Sequence, residues 1–351
     1  MIRETDRAPD APSPSAPKAA RRKVRSAADG SPSLADVART ANVSTASASR
    51  ALARPELVSE AVRVRVSAAA SRLGYVPNAA ARSLATRRSA LVGAVLGDSA
   101  DPVTLQMLEA AERSLSAHGI GIVVRFACET TPAAECAKSL AERGVDALLF
   151  IGAGALPDPD GWKPGRATPY VECGQAPGSD VEGLSEPLER RSIALACAYL
   201  QQLGHRRIGV VGPRRGEGAA QRTSTSEKLT LTEERVDELR DTEALRAAVR
   251  RLIENAATGI VTSSDIAAAA ALRECRALGL AVPGQISVIG CGDTALARCL
   301  DPPLTSIRVA ASASGQAAAE HLAAVLAGGS FAWPDLPLKL VIRESAAEAP
   351  S

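Results

Sequence analysis

The stretch that decides the fold is LADVARTANVSTASASRALARPELVSEAVRVRVSAAASRLGYVPNAAARSLATRRS, residues 34–89. Its apolar spacing predicts two short helices, residues 34–41 and 45–53, joined by the tight connection Asn42-Val43-Ser44. Ser44 carries the hydroxyl that an N-cap needs, because that oxygen can accept a hydrogen bond from an otherwise unpaired backbone N–H. A third amphipathic helix is predicted from residue 59 to about residue 73. Three helices in this order outline a helix-turn-helix, whose second helix enters the major groove of DNA.

The same stretch resembles the DNA-binding headpiece and hinge of the LacI/GalR family of bacterial transcription repressors. A helix-turn-helix pattern alone is a weak signal, but a hinge motif at the right distance behind it is a specific one. The residues that carry the resemblance are Asp36-Val37-Ala38, Val43-Ser44, Ser49-Arg50, and above all Gly74-Tyr75-Val76-Pro77-Asn78 followed by Ala81-Arg82 and Leu84. Later motifs match in order, so the resemblance extends to about Gly328.

The resemblance implies which headpiece residues meet DNA. Base contacts would come from the start of the second helix, where Arg50 suits a bidentate contact to guanine or a clamp on a phosphate. The residues implied around that helix are Ser44, Thr45, Ala46, Ser49 and Arg50, and those implied to position phosphates are Ser33, Ser59, Tyr75 and Asn78.

A hinge helix is implied for residues 77–89, with Ala81 and Leu84 as DNA contacts. In the family this short helix orders only when two protomers meet on the operator, which fits the marginal stability of a helix of about eight residues. Leu84 would wedge into the minor groove, the alternative being that it packs beneath the body of the protein. If it is a wedge, Leu84→Ala should lose specific binding more than non-specific binding.

The charge of the chain divides along its length. Residues 1–90 contain 16 Lys+Arg and 7 Asp+Glu, a net of +9, whereas the remainder has 41 − 16 = 25 basic and 39 − 7 = 32 acidic residues, a net of −7. A basic head on an acidic body indicates a polyanionic partner for the head alone. Residues 1–32, rich in Pro, Ser and charge, are expected to form a disordered basic tail.

Composition limits the remaining classes. The 7 cysteines form no CxxC pair and the 3 histidines lie far apart, so we expect reduced core thiols, no metal site and no cofactor. No apolar run approaches the roughly 20 residues of a membrane span, and no signal-peptide pattern begins the chain. These features favour a cytoplasmic protein, associated with the nucleoid through its DNA and not with a membrane.

From Leu91 onward, strands and helices alternate, which predicts an α/β domain with parallel sheets wrapped by helices. It resembles the two-lobed, periplasmic-binding-protein-like effector domain of the family, most specifically in LGHRRIGVVGP at 203–213, SDIAAAAALRECRALGLAVPGQISVIGCGD at 264–293 and DPPLTSIR at 301–308. The expected domains are a headpiece at 33–76, the hinge at 77–89, an effector-binding and dimerisation domain at 90–343 and a tail at 344–351.

Ligands of such folds bind at the carboxyl ends of strands, between the lobes. The effector-binding residues expected there are Asp98, Glu172, Arg222, Ser264, Asp265 and Asp293. Ser264-Asp265 stands where the family commonly has Asn-Asp, and Cys291-Gly292-Asp293 where it has an aromatic residue and two Asp. Glu172, Gly183-Leu184-Ser185 and Gly292-Asp293 are closer to the gluconate-operon-repressor branch, which senses sugar acids. Each acid could instead be a helix cap or a hydrogen bond within the protein.

The sequence therefore predicts a DNA-binding transcriptional regulator, a repressor that binds a pseudo-palindromic operator as a homodimer and is released or tuned by a sugar or gluconate-like sugar acid. The alternative is an effector-blind regulator with a degenerate cleft. The dimer face is expected on the helices after Pro102 and after Asp265, whose Ala-rich surfaces could equally be internal packing. An α/β enzyme is disfavoured, because Gly152-Ala153-Gly154 lacks the third glycine of a dinucleotide fingerprint and no nucleophile elbow or P-loop occurs.

Overall fold

The computed structural model describes residues 32–76, 88–97, 101–128, 130–152, 168–173, 188–213, 221–225, 229–237 and 241–350, with only the backbone of residues 221–225. The chain divides into two compact units between Ala79 and Ala80. Residues 77–87 of the predicted hinge lie outside the described ranges, and so do Asp98 and residues 1–31 of the tail predicted at 1–32.

The first unit is a three-helix headpiece formed by α1 (Leu34–Ala41), α2 (Thr45–Ala53) and α3 (Glu60–Leu73), with a 3₁₀ turn at Pro55–Leu57. Its core is built mostly from alanines that let the helices pack closely: Val37, Ala38, Ala41, Ala48, Ala51, Val66, Ala69 and Ala70. The bounds predicted for α1 and α2 are confirmed to the residue, because residues with cap geometry, Ser33, Asn42 and Ser44, stand at their ends.

The second unit begins with a lobe around a parallel sheet of order β2-β1-β3-β4, here called the N lobe. Its elements in chain order are β1 (Leu91–Leu96), α4 (Pro102–Ala117), β2 (Gly121–Phe126), α5 (Ala133–Glu142), β3 (Ala147–Ile151) and β4 (Tyr170–Glu172). β3 is buried throughout because helices cover both faces of the sheet.

The other lobe, here called the C lobe, contains a seven-stranded sheet of order β11-β10-β9-β8-β5-β7-β6. The pairs β6–β7 and β10–β11 are antiparallel and the other neighbours are parallel. Its elements are α6 (Leu188–Gln202), β5 (Arg207–Pro213), β6 (Gln221–Thr225), β7 (Thr230–Val236), α7 (Thr242–Glu254), β8 (Gly259–Thr262), α8 (Asp265–Ala277), β9 (Ser287–Gly292), α9 (Ala295–Cys299), β10 (Thr305–Arg308) and β11 (Lys339–Val341).

The chain passes between the lobes more than once. It leaves the N lobe after β4, returns to it after β10 to form α10 (Ala311–Leu326), and comes back to the C lobe at β11. α10 packs along α4 and completes the core of the N lobe. The predicted two-lobed α/β architecture is confirmed.

Two expectations need correction, and two strands were missed. Residues 344–350 are not a loose tail, because Ser345 is fully buried and its Oγ accepts a hydrogen bond from Thr305 N (2.8 Å) and donates one to Val288 O (2.6 Å). The strands β6 and β7 were not anticipated, because β6 contains no apolar residue and charged residues and threonines interrupt the apolar pattern of β7. The Ala-rich surface of α8 is largely internal packing, since eight of its residues are buried.

Candidate DNA-reading helix and interlobe cleft

The second helix of the headpiece presents an exposed polar face. Ser44 Oγ accepts a hydrogen bond from Ser47 N at 3.0 Å, so the residue caps α2 as predicted. Thr45, Ala46, Ser49 and Arg50 are all exposed on α2, whereas Ala48 and Ala51 face the core. This arrangement leaves the implied base-reading side chains accessible to a ligand.

Arg50 lies folded along its own helix, with its Nε donating to Ala46 O at 3.3 Å. That bond is long and exposed, so a better acceptor such as a guanine edge or a phosphate can replace it at little cost. The side chain is therefore accessible and the cost of extending it is small.

The residues expected to contact phosphates differ in the bonds that they form within the headpiece. Ser33 caps α1 and forms a reciprocal capping box with Asp36, and its hydrogen bonds lower the pKa of the Asp36 carboxyl. Ser59 occupies the N-cap position of α3 without a side-chain cap bond, so its exposed hydroxyl is not engaged in that role. Tyr75 is half-buried against the headpiece core. Asn78, Ala81 and Leu84 lie outside the described residues.

At the carboxyl ends of the C-lobe strands β8 and β9, two of the expected effector residues meet in one hydrogen-bond network. Asp265, at the start of α8, accepts bonds from Thr294 N (2.7 Å), Thr294 Oγ1 (2.8 Å) and Ser306 Oγ (2.7 Å). Asp293 N in turn donates to Ser306 Oγ at 3.0 Å. Burial raises the pKa of the Asp265 carboxyl, against the lowering effect of these bonds.

The oxygens of these side chains already bond to the protein itself. Ser264 Oγ caps α8 by accepting a hydrogen bond from Ala267 N at 3.2 Å. Asp293 has a fully buried side chain that forms ion pairs with Arg308 and Arg343. The geometry therefore matches the alternative that these residues are caps and internal hydrogen bonds, and an effector would have to displace existing partners to reach them.

The two other expected residues lie elsewhere on the lobes. Glu172 is half-buried at the carboxyl end of β4 in the N lobe, whereas the Asp265–Asp293 network belongs to the C lobe. Arg222 lies on the edge strand β6, where its backbone pairs with that of Glu233 on β7.

Sequence reasoning missed a second polar cluster at the carboxyl edge of the C-lobe sheet. Arg235, at the end of β7, forms ion pairs with Glu233 Oε2 (2.8 Å) and with Glu189 Oε1 on α6 (3.6 Å). A Cβ added to the neighbouring Gly212 would lie 2.9 Å from Arg235 Nη1, so that glycine provides the space for the guanidinium. The signal was the alternation in TLTEERV at 230–236, which places Glu233 and Arg235 on one face of a strand.

Cys291, on β9, lies where the two lobes touch. Its side chain packs against apolar residues of both lobes. Burial raises the pKa of the Cys291 thiol to about 12, and the nearby carboxylates Asp265, Asp101 and Glu189 add to the effect. The Cys291 side chain is therefore held as the neutral thiol. In the ranges that the structure describes, no group of three or more His, Cys, Asp or Glu side chains is arranged to hold a metal ion.

Comparison with known proteins identifies the family. Residues 33–78 match the family model of bacterial regulatory proteins of the lacI family, and residues 197–346 match a periplasmic binding protein-like domain. A curated HTH-type transcriptional regulator of Streptomyces limosus is 33% identical over 83% of this chain and 88% of its own length. The chain belongs to the LacI family. It is a DNA-binding regulator of the LacI type, with relatives that are transcriptional regulators and not enzymes.

Two solved structures of LacI-family members share the fold. A transcriptional regulator CelR–cellobiose complex has a TM-score of 0.58 and 25% identity and covers 90% of this chain and 100% of its own. A lac repressor dimer bound to operator and an anti-inducer has a TM-score of 0.68 and 20% identity, covering 91% and 100%. Among the described helices of this LacI-family member, none is both long and apolar enough to cross a membrane.

Proposed function

We propose that the protein is a transcriptional repressor that binds a pseudo-palindromic operator as a homodimer. The observation that carries the proposal is the exposed face of α2, with Arg50 held only by a weak bond to its own helix. A single headpiece reads a short half-site, so useful specificity requires two of them. Dimer formation through α4 remains part of this proposal, as does the wedge role of Leu84.

The test compares Arg50→Ala with Arg63→Ala by fluorescence anisotropy on the DNA upstream of the protein's own operon. Arg63 is a suitable control because it is also an exposed arginine of the headpiece, paired with Glu60 on α3. Arg50→Ala should weaken operator binding by about 10- to 100-fold, the cost of a lost bidentate base contact, and should relax sequence preference. Equal, small losses for both variants on operator and random duplex would contradict the assignment of α2 as the reading helix.

We also propose that a small sugar or sugar acid bound between the lobes releases or tunes the DNA complex. The CelR relative was solved with cellobiose, which supports a sugar. A gluconate-like acid would need a free cation, and Arg235 is already matched by two carboxylates, Glu189 and Glu233. Binding of a sugar acid would therefore require Arg222 or another cation near it.

Matched pairs of ligands separate these possibilities. Cellobiose against cellobionate, and glucose against gluconate, would be titrated into the protein–operator complex at fixed salt. Release by an acid but not by its neutral partner would support the carboxylate site around Arg222, and release by the neutral member would favour a plain sugar. The internal pairing of Ser264, Asp265 and Asp293 favours a second candidate, an effector-blind regulator, whose operator affinity would not respond to either member.

A further inference from the structure

Asp293 occupies an unusual position at the end of β9. Its φ is 48°, in the left-handed region that a residue with a side chain seldom adopts, and it follows Gly292, whose φ is 124°. A Cβ added to Gly292 would lie 2.9 Å from Val103 Cγ2 on α4, so the end of β9 lies against the N lobe. The chain thus places a strained carboxylate directly beside a contact between the lobes.

The two oxygens of Asp293 are held by two arginines. Arg308 donates its Nε to Oδ2 at 2.7 Å, and Arg343 donates its Nη2 to Oδ1. The Asp293 side chain has no exposed surface. Burial opposes ionisation, but the bonds from Arg343 and Arg308 hold the pKa of Asp293 below its usual value. Breaking such a pair by removing one partner is costly, because a buried charge is left alone.

Both arginines lie close to points where the chain crosses between the lobes, so they connect the Asp293 carboxylate to those crossings. Arg308 is the last residue of β10, and α10 of the N lobe begins at Ala311, so only two residues separate the ion pair from the other lobe. Arg343 follows β11, the strand on which the chain returns to the C lobe, and its Nη1 also donates to Leu304 O at 2.6 Å. Asp293 therefore ties together the strand that leaves the C lobe and the segment that re-enters it.

We propose that Asp293 is a hinge-positioning residue that sets the angle between the lobes and does not contact the effector. Ser306 extends the connection, because its hydroxyl donates to Asp265 and accepts from Asp293 N, so the edge of the cleft and the crossing share one network. In two-lobed proteins, closure is absorbed by the few residues at the crossings. The link from lobe angle to operator affinity rests on the function proposed above.

The chain offers a matched control in Glu274. It is also a fully buried carboxylate held by two arginines, Arg246 (2.7 Å) and Arg250 (2.6 Å). It lies on α8 against α7, away in the chain from the crossings that follow β10 and precede β11. Asp293→Asn and Glu274→Gln therefore both neutralise a buried carboxylate that pairs with two arginines. Only Asp293→Asn is expected to loosen the crossing between the lobes.

The experiment compares these two variants of the full chain by hydrogen–deuterium exchange and by operator anisotropy. Asp293→Asn should raise amide exchange at residues 306–311 and 339–343 at least tenfold and weaken operator binding about tenfold, because the competent lobe angle is less populated. Glu274→Gln should raise exchange only in α7 and α8 and change operator affinity less than threefold. Arg308→Gln should reproduce the Asp293→Asn pattern. Because the Arg308 side chain is 47% exposed, this variant can be used if Asp293→Asn does not fold.

Unchanged exchange at the crossing, or the same operator affinity in both carboxylate variants, would overturn the hinge role. A wild-type protein that binds no operator would instead overturn the proposed function, while exchange at the crossing would still decide the role of Asp293.

Discussion

Gly315 shows how a single missing side chain fixes the N lobe. It lies on α10 where that helix crosses α4, and an added Cβ would overlap the carbonyl oxygen of Met107. The obstacle is backbone, which cannot rotate away as a side chain would. Glycine at this point is therefore a requirement of the close helix crossing and not a free choice.

Gly315→Ala should destabilise the protein despite the better helix propensity of alanine. Overpacking typically costs about 1–3 kcal/mol, and the overlap with a backbone carbonyl puts Gly315 at the upper end, so we expect a net loss of about 2 kcal/mol after the helix gain of roughly 1 kcal/mol. Urea denaturation followed by circular dichroism measures the loss. Gly284→Ala is the control, because its added Cβ would meet only Ala281 Cβ at 3.6 Å, and it should change the free energy of unfolding by less than about 0.5 kcal/mol. Equal effects of the two substitutions would contradict this account of the crossing.

At the scale of elements, the caps explain which predictions succeeded. α1 and α2 were predicted to the residue because Ser33 and Ser44 accept bonds from the backbone at their starts. The sequence also predicts strands at residues 91–96, 121–126 and 259–262, which are short and mostly apolar runs, and β1, β2 and β8 have these bounds in the structure. β7 was missed because its alternation of Leu, Thr, Glu and Arg does not form such a run.

The cleft could be predicted only in part, for a related reason. Strand ends identified the acids Asp265 and Asp293, but spacing along the chain does not reveal which cation will fold against a carboxylate. Arg308 and Arg343 reach Asp293 from 15 and 50 residues away. Glu189 and Arg235 likewise meet from different elements of the C lobe. Tertiary packing determines such ion pairs, so only the structure shows that these carboxylates already have arginine partners.

Ser33→Ala tests the contribution of a cap to the headpiece. The substitution removes both the acceptor for Asp36 N and the donor to Asp36 Oδ2, and we expect a loss of about 1 kcal/mol in the local stability of α1. Amide exchange of residues 34–41 in the full chain measures it. Ser59→Ala replaces an N-cap serine that makes no side-chain cap bond, and should leave the exchange of α3 nearly unchanged. Similar losses in both helices would show that the cap geometry does not determine local stability.

At the scale of the whole molecule, buried histidines link stability to pH. His205 is fully buried at the foot of the C lobe, where its ring nitrogens bond to Thr258 Oγ1 (2.9 Å), Ser287 Oγ (3.1 Å) and Ala347 O (3.1 Å). Burial lowers the pKa of His205, against a smaller raising effect of the Ala347 carbonyl, and burial also lowers the pKa of His321. Folding therefore favours the neutral form of both rings.

A histidine whose pKa is lowered on folding binds its proton more readily in the unfolded chain. The stability that it contributes is present above its unfolded pKa of about 6.5 and is lost as the pH falls through its lower folded pKa. The wild-type free energy of unfolding should therefore decrease between pH 7.5 and pH 5, and His205→Gln should decrease less steeply over the same window. Denaturant titrations at several pH values provide the measurement. A slope that is the same with and without His205 would refute the linkage.

Because the chain crosses between the lobes, neither lobe can be completed early during synthesis on the ribosome. The N lobe lacks α10 until Leu326 has been made, and the C lobe lacks β10, β11 and the buried Ser345 until the end of the chain follows. Domains usually fold one after another as the chain emerges, amino-terminal first. Here the headpiece can fold early, but neither lobe is complete until the segment from Thr305 to Ala349 has been made. The backbone N–H of Ala349 donates a hydrogen bond to Leu203 O of the C lobe. A nascent chain stalled before that segment would carry a finished DNA-reading head on two unfinished lobes.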